Sequence, residues 1–249
     1  MRKNIFSAFY LTSAFALLMS IHPKAEAGLI LEQTRIIWDS RSKQEDISLK
    51  NNSNDIYLIQ TGVFESPTGQ IQSDYFIVTP PLYRLNPNSQ QTMKIIPQNK
   101  IEQLPKDQES LFYFSAIGIP GVSSDENENS TARLSIGTRL VIKLFYRPEG
   151  LQQSSDEAIK SLRFNTQNKN LCIENPSEYF VTLSSININN QQYDQAAGVM
   201  IAPKSKYSLA VPTQLAQSTK VSWTAINDYG GDSEAYSAVL ASGKDTLCQ

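Results

Sequence analysis

Apolar and polar residues alternate in short runs along most of this chain, and the runs end at turn-forming residues, with almost no three-to-four-residue helical spacing. Ile56–Phe64 is rich in β-branched and aromatic residues and stops at Ser66-Pro67-Thr68-Gly69, the chemistry of a turn. Similar runs occupy Leu29–Trp38, Ile47–Asn51, Tyr75–Thr79, Thr92–Ile96, Leu111–Ile119 and Leu134–Tyr146. Seven strands in about 120 residues, punctuated by turns, predict an immunoglobulin-like β-sandwich.

Arg147-Pro148-Glu149-Gly150 ends the longest run, because proline lacks a ladder donor and glycine is conformationally loose. A second series follows at Leu162–Thr166, Tyr179–Ile186, Val199–Ala202, Lys206–Ala210, Lys220–Ile226 and Glu234–Leu240. The pattern predicts an all-β protein of two immunoglobulin-like β-sandwich domains, residues 28–147 and 148–249. The acidic, serine-rich stretch Ser123–Ser130 reads as a loop.

One segment breaks the pattern. Arg2 and Lys3 precede an apolar run from Ile5 to Ile21, and Ala25-Glu26-Ala27 precedes Gly28. Charged, apolar and small-residue segments in that order predict a secretory signal over residues 1–27, cleaved after Ala27. No later stretch approaches the roughly 18 apolar residues of a membrane span, so no membrane insertion is expected. Removing Arg2, Lys3, Lys24 and Glu26 takes the net charge from −2 to −4, which offers nucleic acid no electrostatic attraction.

Cleavage also removes His22, the single histidine. Ser-His-Asp and Cys-His hydrolysis both need an imidazole, and most zinc sites use one, so those reaction classes fall away. The 23 remaining carboxylates could include a glycosidase pair, but no aromatic-lined acidic motif singles one out, and a non-enzymatic protein without metal or cofactor is expected. The two cysteines, Cys172 and Cys248, are destined for an oxidising compartment and are expected to pair. A loop of that length contributes roughly 4 kcal/mol on chain-entropy grounds.

Several segments are more specific: Thr34-Arg35, Thr79-Pro80-Pro81-Leu82-Tyr83-Arg84-Leu85-Asn86-Pro87, Leu104–Phe114, Ile142–Pro148 and Asn227-Asp228-Tyr229-Gly230. In order and spacing they resemble the periplasmic chaperones of the chaperone/usher pilus pathway, the PapD-like family, over essentially the whole chain after residue 27. The resemblance implies two domains set as an L with a cleft between them. It also implies a periplasmic chaperone that binds, folds and caps pilus (fimbrial) subunits by donating an edge strand and delivers them to an outer-membrane usher.

The donor candidate is Arg133–Tyr146, where Leu134, Ile136, Thr138 and Leu140 alternate with Arg133, Ser135, Gly137 and Arg139. Alternation alone leaves two readings open, an apolar face turned to this domain's own core or one offered to a partner. The resemblance implies the second, with Leu134, Ile136, Thr138 and Leu140 entering a subunit groove; Thr138 is smaller than the residue usual there. It further implies that Arg35 and Lys143 anchor the subunit's C-terminal carboxylate. Glu109, Arg147 and Asp228 match an interdomain ion network. The loop after Pro120 carries no cysteine and resembles the short-loop branch of the family. An apolar edge also favours self-capping dimerisation when no subunit is bound. The alternative is a structural pilin or a two-domain adhesin, although a pilin would carry an N-terminal donor extension ahead of its first strand.

Overall fold

The computed structural model describes residues 28–121, 136–167, 170–211, 215–216 and 218–240. The signal segment, the acidic loop Ser123–Ser130, Leu134 and Cys248 lie outside these residues. The first domain holds β1 (Leu29–Leu31), β2 (Arg35–Asp39), β3 (Glu45–Asn51), β4 (Tyr57–Phe64), β5 (Phe76–Thr79), β6 (Leu82–Leu85), β7 (Gln90–Pro97), β8 (Ser110–Pro120) and β9 (Thr138–Arg147). They form two sheets, ordered β1-β3-β7-β5 and β2-β9-β8-β4-β6.

The expected single strand Leu29–Trp38 is two. Glu32-Gln33-Thr34, all exposed, carries the chain from one sheet to the other. β1 pairs with β3 antiparallel, whereas β2 pairs with β9 parallel, Arg35 opposite Lys143 and Asp39 opposite Arg147. Between the sheets Trp38, Phe76 and Phe112 stack in sequence, with ring centroids 5.2 and 5.3 Å apart, among buried Leu49, Ile59, Met93, Ile95, Phe114 and Leu144. Burial of these side chains, each worth roughly 1.5–3 kcal/mol, is the principal force holding the sandwich together.

The second domain holds β10 (Arg163–Gln167), β11 (Asn170–Asn175), β12 (Val181–Ile188), β13 (Gln191–Gln192), β14 (Met200–Ile201), β15 (Ser205–Ala210), β16 (Lys220–Ala225) and β17 (Tyr236–Val239). Its sheets run β10-β11-β15 and β13-β12-β16-β17, with β14 on the flank of β12. Phe164 and Trp223, 4.5 Å apart, centre its core. A short helix, Ser155–Lys160, opens the domain on a capping box in which Ser154 and Glu157 each accept from the other's backbone N–H. Trp223 Nε1 donates to the Ile159 carbonyl at 3.0 Å and ties that helix to the core.

Both domains close one strand end in the same way. Asn51 and Asn175, fully buried, donate through Nδ2 to loop carbonyls, Asp55 and Asn86 in one case, Tyr179, Ile201 and Ala202 in the other. Each accepts from the backbone N–H and hydroxyl of the serine two residues on, Ser53 or Ser177. A buried amide is tolerable here because its donors and acceptor are all used.

Candidate functional site

The domains meet over the end of the β2/β9 pair. On that face of the sheet β9 presents Lys143, Phe145 and Arg147, and β2 presents Arg35, Ile37 and Asp39, since alternate residues share a face. Phe145 is buried and packs on Phe180 of the second domain, ring centroids 5.8 Å apart. The backbone N–H of Glu109 donates to Glu178 O across the boundary at 2.9 Å. Asn227-Asp228-Tyr229-Gly230 turns toward Thr34, and a Cβ at Gly230, φ +84°, would collide with the Thr34 hydroxyl, so that turn requires glycine.

Glu109, Arg147 and Asp228 come together as one network. Arg147 Nε donates to Glu109 Oε1 at 2.9 Å, and its two terminal nitrogens grip Asp228 at 2.7 and 2.9 Å. Ser155 Oγ donates to Asp228 Oδ2 at 2.9 Å, and the Phe180 N–H donates to Glu109 Oε2 at 2.9 Å. The Arg147 guanidinium also lies 4.9 Å from the Tyr179 ring centroid. Burial works against the Arg147 charge, but the Asp228 hydrogen bonds and both carboxylate charges outweigh it and raise its pKa. Burial pushes Glu109 up, with Arg147 pulling the other way. Asp228 is depressed because its bonds to Arg147 and Ser155 overcome its own burial.

Arg35 and Lys143 sit side by side without any such partner. Arg35 Nη1 donates to the Ile226 carbonyl at 3.1 Å and the guanidinium lies 5.7 Å from the Phe145 ring centroid, while its buried Nε finds no acceptor. Lys143 Nζ reaches the Thr182 hydroxyl at 3.3 Å. Among the described residues neither cation forms a salt bridge. Burial lowers both pKa values; Asp228 and Glu109 partly restore Arg35, whereas the Arg35 charge lowers Lys143 further. An unpaired buried N–H beside an unpaired ammonium is unfavourable, and an anion with two or more acceptor oxygens would relieve both.

The strand leading to this pair has one free edge. β9 pairs with β8 from Ser110↔Tyr146 to Gly118↔Thr138. On the other side β2 covers only Lys143–Arg147, and among the described residues no strand pairs with Thr138–Ile142, whose backbone is open there to a further strand. Ile136 is 70% exposed and Thr138 is exposed, so neither belongs to the core. Leu140 and Ile142 are half-buried, each with one side against the core cluster. Among the described residues no group of three His, Cys, Asp or Glu side chains is placed to hold a metal ion.

Thr182, Ser155, Tyr179 and Phe180 were not foreseen from sequence. They act through a hydroxyl, a ring or a backbone N–H brought in by the second domain, and nothing in their local sequence marks them. Cys172, buried in β11, is disulfide-bonded.

Two immunoglobulin-like domains joined at an arginine-proline hinge, with an open strand running into a cationic cleft, define the class. The chain belongs to the pili assembly chaperones: residues 28–152 match the family "Pili and flagellar-assembly chaperone, PapD N-terminal domain" and residues 157–237 the family "Pili assembly chaperone PapD, C-terminal domain". It is 33% identical over 213 residues to chaperone protein FimC of Escherichia coli K12, covering 85% of this chain and 84% of FimC. Its fold matches the crystal structure of the E. coli chaperone DraB with a TM-score of 0.74 and 27% identity, covering 86% of this chain and 96% of DraB. It matches the YadV chaperone with a TM-score of 0.71 and 31% identity, covering 86% of this chain and all of that one.

Proposed function

We propose that this chaperone works in the periplasm, after removal of residues 1–27, by lending the free edge of β9 to pilus subunits and holding each subunit's C-terminal carboxylate on Arg35 and Lys143. The observation that carries this reading is the continuity of two deficits: an open backbone edge at Thr138–Ile142 ends at two cations that lack an anion. One ligand answers both, an extended strand with a carboxylate at its end.

The direction of that strand follows. β9 runs from its free half toward Lys143, so a strand that lies along Thr138–Ile142 and ends at Lys143 must run parallel to β9. β2 is also parallel to β9, and the incoming strand would abut it end to end. Meanwhile Ile136, Thr138 and Leu140, with Leu134 ahead of them, would fill the subunit's groove. The network of Glu109, Arg147 and Asp228 holds the cleft walls in place and leaves the subunit to the other two cations. A bridge between Cys172 and Cys248 staples the second domain. Subunits capped in this way would pass to an outer-membrane usher. Capture and release are binding events, and no bond of the subunit is made or cut.

Ile136→Arg tests the strand assignment. A cation forced into an apolar groove costs far more than the ~2 kcal/mol of one lost apolar contact, so subunit capture should be lost while circular dichroism and melting temperature stay as in the wild type. Full capture by the folded variant would refute the assignment.

A further inference from the structure

We infer that Arg139 is a positioning residue that holds the free half of β9 extended for the incoming subunit, an inference that rests on the assignment of β9 as the capping strand. Arg139 opens the row that continues through Val141, Lys143, Phe145 and Arg147, on the face opposite the groove-facing residues. It sits beside the last rungs of the β8/β9 ladder, Ile117↔Arg139 and Gly118↔Thr138, where β9 has support on one side alone.

Its side chain is tied at three points. Nε donates to Ser115 Oγ at 2.9 Å, Nη1 donates to the Thr68 carbonyl at 2.7 Å, and the guanidinium lies 5.8 Å from the Phe64 ring centroid. Ser115 is buried, so this contact also satisfies a hydroxyl inside the sheet. Thr68 belongs to the turn after β4, closed by the Gly69 N–H on Ser66 O. A Cβ at Gly69, φ +71°, would collide with Arg139 Nη2, so the turn takes glycine both for its backbone and to seat the guanidinium. The planar fork thus spans β8 and the tip of a neighbouring hairpin. It braces a half-strand that would otherwise lose conformational entropy only when a subunit arrives, and pre-ordering of that kind strengthens binding without a new contact.

Hydrogen exchange of the Thr138–Ile142 amides in the free protein tests this, together with the dissociation rate of the subunit that co-purifies with it. Arg139→Ala should quicken both by about tenfold, the loss of one charge-assisted contact, with melting temperature unchanged. Arg139→Lys keeps the charge without the fork and should fall between. Gly69→Ala should quicken exchange of the same amides from the other side of the contact, and in the double variant those amides should exchange no faster than in Arg139→Ala, although the alanine at φ +71° adds its own strain to the turn. Unchanged exchange in both single variants overturns the inference, and so does faster exchange spread over the whole first domain with a lowered melting temperature, which marks an ordinary stabilising contact. If Ile136→Arg still captures subunits, the strand assignment fails, and the exchange of the free protein alone then decides the role of Arg139.

Discussion

Arg147 and Lys143 stand four residues apart on one face of one strand, yet their surroundings are opposite. Arg147 has two carboxylates on three of its nitrogens, and every oxygen of those carboxylates is occupied. Lys143 and its neighbour Arg35 have a hydroxyl, a carbonyl and a ring, and one buried N–H with nothing. A saturated cluster has little left to offer a ligand and serves the fold. An unsaturated one is unfavourable until something binds, and so marks where the ligand goes.

That contrast can be broken first at Arg147, where the largest effect is expected. Arg147→Met strands the almost fully buried Glu109 and the partly exposed Asp228, and should cost about 3 kcal/mol of unfolding free energy in urea titrations. Solution scattering should show a looser domain angle. Unchanged stability and an unchanged profile would reduce the network to ordinary surface charge.

Arg35→Met and Lys143→Met should do the converse. Each keeps its aliphatic packing and removes a half-buried charge, so urea stability should hold or rise. Subunit affinity should drop by about 1.5–3 kcal/mol per variant, read by titration calorimetry. A loss of stability equal to that of Arg147→Met would erase the distinction between the clusters.

The smallest effects are those of pH, and they fall in opposite windows. Asp228 has a folded pKa below its unfolded value near ~3.9, so its contribution is present above that value and lost as pH falls through the folded pKa. Glu109, raised by burial, slopes the other way, so the comparison is between wild type and Asp228→Asn, and the variant should lose part of the acid sensitivity. Lys143 is depressed below its unfolded value near ~10.4, and the folded free protein therefore releases that proton more readily. Subunit affinity should fall as pH rises through the folded pKa of Lys143. Lys143→Met should flatten that alkaline slope, and an unaltered slope would clear Lys143 of the role.

Much of this was legible in the chain itself. Alternation located most strands, and Arg147-Pro148 falls where β9 ends. Leu29–Trp38 reads as one strand because no glycine or proline separates its two apolar ends; the polar run Glu32-Gln33-Thr34 is the sole sign of the sheet switch. β11 was missed because Asn170, Glu174 and Asn175 dilute its apolar residues, although three consecutive positions, Leu171, Cys172 and Ile173, are buried. The helix after the hinge is too short for a periodic signal, but its Ser154-to-Glu157 capping box was readable. Arg35, Lys143, Glu109, Arg147 and Asp228 were named from the family pattern. That two of them are unsatisfied and three are saturated could not be, since it depends on Thr182, Phe180, Ser155 and Ile226 arriving from a second domain.

The most direct measurement compares one ligand in two forms: a synthetic peptide of a subunit's last strand, with a free C-terminal carboxylate or with a C-terminal amide. The free acid should bind the wild type more tightly by about tenfold or more, and should lose that advantage on Arg35→Met and Lys143→Met. Equal affinity of acid and amide for the wild type would contradict the account, because the two unpaired cations would then hold something other than a subunit's end.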